Sequence, residues 1–133
     1  MSALILHLET STKICSVALS QNGILLAHSD QAADGYIHGE ALTLMISELL
    51  HNSNTTLQEL NAISYSSGPG SYTGLRIGLS TAKGLCFALS IPLIAIPTHQ
   101  ILFQVTKEFD LNENQRVIAL LDARRTEAYM KVF

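Results

Sequence analysis

The stretch SSGPGSYTGLRIGLSTAKGL, residues 66–85, contains five of the chain's eight glycines and one of its three prolines. It follows a short apolar segment typical of a strand and continues into an apolar segment with helical spacing. A strand, a glycine turn and a helix N-terminus together suit an anion, because backbone N–H groups and the helix dipole point the same way. Glycines also let two backbones approach closely. The stretch therefore has a phosphate-binding interpretation and a packing interpretation.

The turn itself has a specific prediction. Gly68-Pro69-Gly70 is typical of a type II turn, with proline second and glycine third, where φ is positive. Ser71 or Thr73 then caps the following helix by accepting an orphan amide hydrogen.

Known phosphate and nucleophile loops are excluded by spacing. A Walker A loop needs Gly-Lys-Ser/Thr, but Gly74 is followed by leucine and arginine. A dinucleotide loop needs glycine where Thr73 stands, and a Gly-x-Ser-x-Gly elbow needs glycine where Pro69 stands. The motif is therefore none of these three.

Three glycines lie inside the predicted helix 73–89: Gly74, Gly78 and Gly84. Gly74 and Gly78 are one turn apart, and each costs about 1 kcal/mol relative to alanine. The helix is apolar over most of its circumference, so we expect burial on more than one side. Either it packs closely on its own sheet, or it joins helix 38–50 in a protein–protein interface. The predicted interface residues are Leu42, Met45, Ile46, Leu49, Gly74, Leu75, Gly78, Leu79 and Ala82.

Hydrophobic periodicity predicts the order β-β-β-α-β-α-β-α-β-β. Asn22-Gly23 between two apolar runs predicts a hairpin turn with positive φ at both residues. This order indicates an α/β fold, a mixed sheet flanked by helices, compatible with a ribonuclease-H-like unit. We expect one such domain over residues 1–115, with 116–133 forming the first strands of a second, truncated half. The predicted strands are 3–9, 14–20, 24–29, 61–67, 92–96, 116–123 and 127–133; the helices are 38–50, 73–89 and 98–109.

Charge and composition limit the function classes. The net charge is −3, and no Lys or Arg occurs between Lys13 and Arg76. This argues against direct binding of nucleic acid, which needs clustered cations. The first half instead presents an acidic surface suited to a basic protein partner. Its acidic residues are Asp30, Asp34, Glu40, Glu48 and Glu59.

Hydropathy and cysteine usage indicate the cellular compartment of the protein. The hydrophobic content of 47% fits either a buried interface or a well-filled core. Cys15 and Cys86 predict small buried residues in a reducing compartment rather than a disulfide framework. No signal peptide or membrane span is expected, so we predict a cytoplasmic protein.

Residues with the chemistry of a site are few. No two of the five histidines are spaced i, i+4, so no metal site is predicted. The best polar cluster is Glu9–Thr12 at the end of the first strand, for which turn polarity is the simpler interpretation. With the glycine turn it forms a predicted nucleotide- or phosphate-binding set. This set is Glu9, Thr10, Ser11, Thr12, Gly68, Gly70 and Ser71. The charged residues of the segment Asp122–Arg125 either pair with each other in a turn or contact an anion, and the turn is the simpler interpretation.

Three segments together carry a resemblance. Residues 66–85, LETSTKICSVAL at 8–19 and LLDARRTEAY at 120–129 resemble the bacterial TsaB (YeaZ) family. The resemblance implies the actin/Hsp70/sugar-kinase (ASKHA) superfamily, with two ribonuclease-H-like halves. It also implies a role in making threonylcarbamoyladenosine beside the tRNA anticodon. In that family TsaB pairs through its N-terminal helices with the paralogue TsaD, which holds the metal and transfers the group. An ATPase, TsaE, joins them, and an older label calls the family glycoprotease-like.

Two departures shape what the resemblance implies. TsaD-type proteins carry a His-x-x-x-His metal pair after the strand corresponding to 92–96, but here only His99 stands there. Glu9 replaces the usual superfamily Asp. The implied protein is a non-catalytic scaffold subunit with no catalytic or metal-binding residue, and ATP or ADP with magnesium belongs to the complex. It reaches tRNA only through the complex and forms a homodimer alone. An ATP-dependent phosphotransferase and a metallopeptidase remain as alternatives.

Overall fold

The computed structural model describes residues 2–32 and 38–133, with only the backbone of His38. Asp34, part of the predicted acidic surface, lies outside these residues. The strands are β1 (Leu4–Glu9), β2 (Ile14–Gln21), β3 (Ile24–Ala32), β4 (Ala62–Ser66), β5 (Leu93–Ile96), β6 (Ile118–Asp122) and β7 (Ala128–Val132). The helices are α1 (His38–Asn52), α2 (Tyr72–Leu89) and α3 (Thr98–Gln104), with 3₁₀ turns at Leu57–Glu59 and Val105–Glu108.

Five strands form one mixed sheet in the order β3-β2-β1-β4-β5. The first two pairings along the chain are antiparallel, whereas β4 lies parallel to both β1 and β5. Asn22 and Gly23 have φ of 52° and 81°, as the hairpin prediction requires. The predicted element order and the α/β class are confirmed.

The core lies between this sheet and the layer formed by α1 and α2. Along β1, Leu4, Leu6 and Leu8 are buried and alternate with half-buried residues, because successive side chains point to opposite faces. The buried residues of α1 and α2 belong to the same cluster. Fully burying each such leucine contributes about 1.5–3 kcal/mol. Both cysteines are buried free thiols, as predicted.

The helix predicted over 98–109 is too long. Regular helix ends at Gln104, and a 3₁₀ turn follows from Val105 to Glu108. The Thr106 hydroxyl donates to the Phe103 carbonyl oxygen at 2.7 Å. A hydroxyl bonded to the backbone in this way, next to a β-branched valine, favours departure from regular helix.

The two last strands form a separate sheet of their own. The rings of Phe133 and Phe103 stack with centroids 4.4 Å apart, joining the end of this hairpin to α3. Arg124 and Arg125 have φ of 71° and 58°, and the Asp122 carboxylate accepts the Arg124 N–H at 2.7 Å, so this segment is a turn. The assignment of residues 116–133 to a second half stays a prediction. Among the helices of the described residues, none is long and apolar enough to span a bilayer.

Candidate functional site

Three chain segments leave the sheet at one edge. β1, β4 and β5 run parallel, so their carboxyl ends meet there, which is where open α/β sheets bind ligands. The segments are Glu9–Thr12, the glycine turn after β4, and Thr98-His99. The predicted polar cluster and the predicted glycine turn are therefore brought together.

Glu9 organises the turn after β1. Its Oε1 atom accepts the Ser11 N–H at 2.6 Å and the Ser66 hydroxyl at 2.9 Å. Glu9 is half-buried, whereas Thr10, Ser11 and Ser66 are buried. One oxygen of this carboxylate is thus used to hold the turn against β4.

The glycines of the opening motif face this turn. A Cβ atom on Gly74 would overlap the carbonyl oxygen of Thr10, and a Cβ atom on Gly78 would overlap the Oγ1 atom of the same threonine. A Cβ atom on Gly70 would overlap the carbonyl oxygen of Ser11. All three positions therefore need glycine so that α2 can approach the β1–β2 turn. The packing interpretation holds for these residues.

Hydrogen bonds at the start of α2 also serve the protein itself. The Ser71 hydroxyl accepts the Gly74 N–H at 3.2 Å, which confirms the N-cap prediction. The Ser71 N–H donates to the Ser11 carbonyl oxygen at 2.6 Å. The type II turn prediction is wrong, because Gly70 has a φ of 157° where the third residue of such a turn has about 80°. The Gly68 oxygen accepts the Thr98 N–H at 2.8 Å instead of the Ser71 N–H.

These contacts bear on the predicted phosphate site. Two amides that a phosphate would need, those of Ser71 and Gly74, already have partners, and the Glu9 carboxylate would repel an anion. Of the predicted set, Thr12 is the exposed member. Its hydroxyl is bonded locally to Ile14. Nucleotide binding by this set stays a prediction.

The predicted interface residues lie mostly inside the chain. Leu75 and Leu79 are half-buried and line a cleft described below. The other seven are buried in the described structure and pack against the sheet or against each other: Leu42, Met45, Ile46, Leu49, Gly74, Gly78 and Ala82. An interface on this layer therefore has to use different, exposed residues of the same helices.

Three buried polar atoms at the strand ends have no hydrogen-bond partner within the described residues. They are Ser11 Oγ, Thr98 Oγ1 and His99 Nε2. Each such atom costs about 1–3 kcal/mol when left unpaired. Among the side chains that the structure describes, those of residues 2–32 and 39–133, no cluster of three or more metal-ligating groups occurs.

Two titratable side chains near this edge are shifted by their surroundings. His7 bonds to Ser64 at 2.6 Å and to Ser20 at 2.7 Å, and burial lowers its pKa below 6.5. Burial raises the pKa of the Cys15 thiol, and the Glu9 charge raises it further. Because thiolates are the reactive form, Cys15 is poorly suited to nucleophilic chemistry.

A cleft of about 370 Å³ was missed from the sequence. It lies between the first half of α2 and β7, and its walls include Tyr65, Tyr72, Arg76 and Tyr129. The i, i+4 spacing of Tyr72 and Arg76 inside the glycine motif was the available signal. The contribution of Tyr129 depends on how the last hairpin packs, which spacing does not reveal.

The comparisons with known proteins agree with the resemblance. The family model TsaD, described as tRNA N6-adenosine threonylcarbamoyltransferase, matches residues 35–132. The tRNA threonylcarbamoyladenosine biosynthesis protein TsaB of Escherichia coli (strain K12) is 37% identical over 125 residues, covering 94% of this chain and 52% of that protein. TsaB of Haemophilus influenzae is 38% identical over 125 residues, which cover 94% of this chain and 51% of that protein. The chain spans about half the length of these relatives.

A solved structure supports the same assignment. YeaZ from Pseudomonas aeruginosa superimposes with a TM-score of 0.84 at 34% identity, over 98% of this chain and 59% of that one. The ribonuclease-H-like fold prediction is confirmed. Because the TsaD model matches most of its length, the chain belongs to the group that this model describes, and its similarity to TsaB and YeaZ proteins assigns it to the TsaB (YeaZ) family within that group.

Proposed function

We propose that the protein is a non-catalytic subunit of the bacterial machinery that makes threonylcarbamoyladenosine in tRNA. In this proposal it acts in the cytoplasm and binds a TsaD-like paralogue, which performs the transfer, while a TsaE-like ATPase joins the complex. tRNA is contacted through the complex. Family membership supports the pathway. The non-catalytic role is supported by the glycine motif and by Glu9, because the Ser71 and Gly74 amides and one oxygen of the Glu9 carboxylate are used in internal hydrogen bonds.

The observation that carries the proposal is the outer surface of the helix layer. Leu44 on α1 is 59% exposed, and Phe87 on α2 is 89% exposed. A phenylalanine left this open favours burial by a partner, because aromatic side chains dominate interface energetics. The outer surface of α1 and α2 is therefore the proposed docking surface for the paralogue.

Charge on the two helices also favours association. α1 carries exposed Glu40 and Glu48, whereas Lys83 is exposed on α2. Two copies related by a two-fold axis can place each acidic α1 beside the partner's basic α2. We propose that the same surface forms a homodimer when the paralogue is absent.

The last hairpin extends the proposal to domain organisation. Ile118, Leu120, Met130 and Val132 are each more than half exposed on this two-stranded sheet. A two-stranded sheet is marginal alone and is stabilised by further strands or a helix. We propose that residues 116–133 belong to a second ribonuclease-H-like half, as the length of the relatives suggests.

The experiment is co-purification with a TsaD-like protein from the same source, with light scattering for stoichiometry. Leu44→Glu and Phe87→Ser should each weaken association about tenfold or more, since both remove exposed apolar area. Their thermal midpoints should match that of the unchanged protein, because neither side chain is in the core. Full association by both variants would contradict the proposed surface.

A neighbouring residue supplies the control. Met45 lies beside Leu44 in sequence but is 4% exposed and belongs to the core. Met45→Glu buries an unpaired charge and should cost about 3 kcal/mol or more of stability. Loss of binding with loss of stability at Met45, against loss of binding alone at Leu44, separates the interface from the fold.

A further inference from the structure

Strand β3 is an edge of the five-stranded sheet. Among the described residues it pairs only with β2, and no other backbone hydrogen bond reaches Ile24–Ala32. An edge strand presents a row of unpaired N–H and C=O groups, which proteins commonly protect with lysine or proline. β3 contains neither residue. Its outer edge therefore offers backbone groups to a further strand.

The second half of β3 is regular. The register between β2 and β3 shifts between Leu19 and Ser20, and this irregularity lies before Ala27. Bulges bend an edge away from further pairing, but from Ala27 to Ala32 each residue opposes one residue of β2. A further strand can therefore align with segment 27–32.

Segment 27–32 carries one basic and one acidic side chain on the same face. His28 Nδ1 lies 3.5 Å from Asp30 Oδ2, and both side chains are more than half exposed. The segment contains no other titratable side chain. Like charges directly opposite each other on paired strands are destabilising. A strand that pairs here therefore needs an acidic residue opposite His28 and a basic residue opposite Asp30.

A second copy of the same strand meets this requirement in one register. A two-fold axis perpendicular to the sheet keeps equivalent faces together, so only residues whose side chains share a face can be opposite each other. With Ser29 on the axis, each His28 lies opposite the partner's Asp30, and each Ala27 lies opposite the partner's Gln31. An axis through His28 or Asp30 instead places identical side chains opposite each other. Charge therefore selects the register centred on Ser29.

We propose that two copies of the chain pair through the outer edges of their β3 strands, antiparallel and centred on Ser29. The pairing joins the two five-stranded sheets into one continuous sheet, with His28 facing the partner's Asp30 at two symmetric places. This edge is separate from the outer surface of α1 and α2. The inference goes beyond the proposed function and does not depend on it.

Disulfide trapping at the axis tests the register. Ser29→Cys places two thiols opposite each other with their Cα atoms about 4.5–5.5 Å apart, which a disulfide can span. Mild oxidation should convert this variant to a covalent dimer on a non-reducing gel. Gln31→Cys is the matched control and should stay monomeric, because its thiol lies opposite the partner's Ala27. Cys15 and Cys86 are buried, so the unchanged protein should not cross-link.

Light scattering over a concentration series tests the charges. The starting protein carries Leu44→Glu and Phe87→Ser, so that it does not associate through α1 and α2. In this background His28→Asp places carboxylates opposite each other twice and should weaken dimerisation about fivefold or more. Adding Asp30→His to that variant should restore dimerisation. Thermal midpoints should stay unchanged throughout, since exposed charge pairs contribute little to stability.

Three results would overturn the pairing. They are a starting protein that stays monomeric at millimolar concentration, equal cross-linking of Ser29→Cys and Gln31→Cys, and dimerisation that His28→Asp leaves unchanged. Co-purification with the TsaD-like protein tests the α1 and α2 surface, so its outcome is independent of these results.

Discussion

Helix α2 has two faces that differ in how they use side-chain size. On the inner face, every fourth residue from Gly74 to Cys86 is small and buried. On the outer face, Tyr72 and Phe87 are large and exposed. The inner face brings the helix onto the turn after β1, and the outer face leaves apolar area for a ligand or a partner. Small residues in a helix therefore indicated internal packing here, and the proposed binding surface is the opposite face.

The largest expected effect comes from the inner face. Gly74→Ala places a methyl group against the Thr10 carbonyl oxygen, which is backbone and cannot rotate away. We expect the free energy of unfolding to fall by about 2 kcal/mol or more, as for overpacked cores. Urea denaturation measures this. A Gly74→Ala variant as stable as the unchanged protein would show that the inner face of α2 does not need glycine at this position.

The same substitution on the outer face should have a smaller effect of opposite sign. Gly84 is exposed, and a Cβ atom there would meet nothing within 4 Å. Gly84→Ala should therefore raise the free energy of unfolding by about 0.5–1 kcal/mol, since alanine favours helix. Urea denaturation of both alanine variants side by side sharpens the comparison, and a destabilised Gly84→Ala would contradict it.

The smallest expected effect extends the comparison to His7, which lies on the face of the sheet opposite the core formed with α1 and α2. Burial lowers the pKa of His7 below 6.5, so below that pH the unfolded chain binds more protons than the folded one. This contribution to stability is complete above pH 6.5 and is lost as the pH falls through the pKa of folded His7. Because His7 is half-exposed, solvent keeps the effect small.

Denaturation between about pH 7.5 and pH 5.5 measures this dependence. His7→Gln should reduce the fall in stability with pH. Identical slopes for this variant and the unchanged protein would show that His7 carries no pH dependence.

Much of the fold was predictable because its signals are local. The alternation in β1, the Asn22-Gly23 turn and the apolar spacing of α1 each predict an element from neighbours in sequence. The end of α3 was not predictable, because a hydroxyl-to-backbone bond at Thr106 competes with an apolar pattern that continues to Phe109.

The site was less predictable because it depends on contacts between distant segments. The motif indicated close approach at Gly74 but not that the approaching group is Thr10, more than 60 residues earlier. The turn prediction rested on the local order of proline and glycine at 69 and 70. A hydrogen-bonded turn there would use the Ser71 N–H locally, but packing directs that N–H to Ser11.

The contact of Gly74 and Gly78 with the single residue Thr10 has a mechanical consequence. Because α2 contributes no side chain at either contact, a shift of α2 toward the turn after β1 has to move that turn as well. The start of α2, where Tyr72 lies, is also joined to this turn, since the Ser11 carbonyl oxygen accepts the Ser71 N–H at 2.6 Å. We therefore expect a displacement of the exposed start of α2 to reach the ends of the strands.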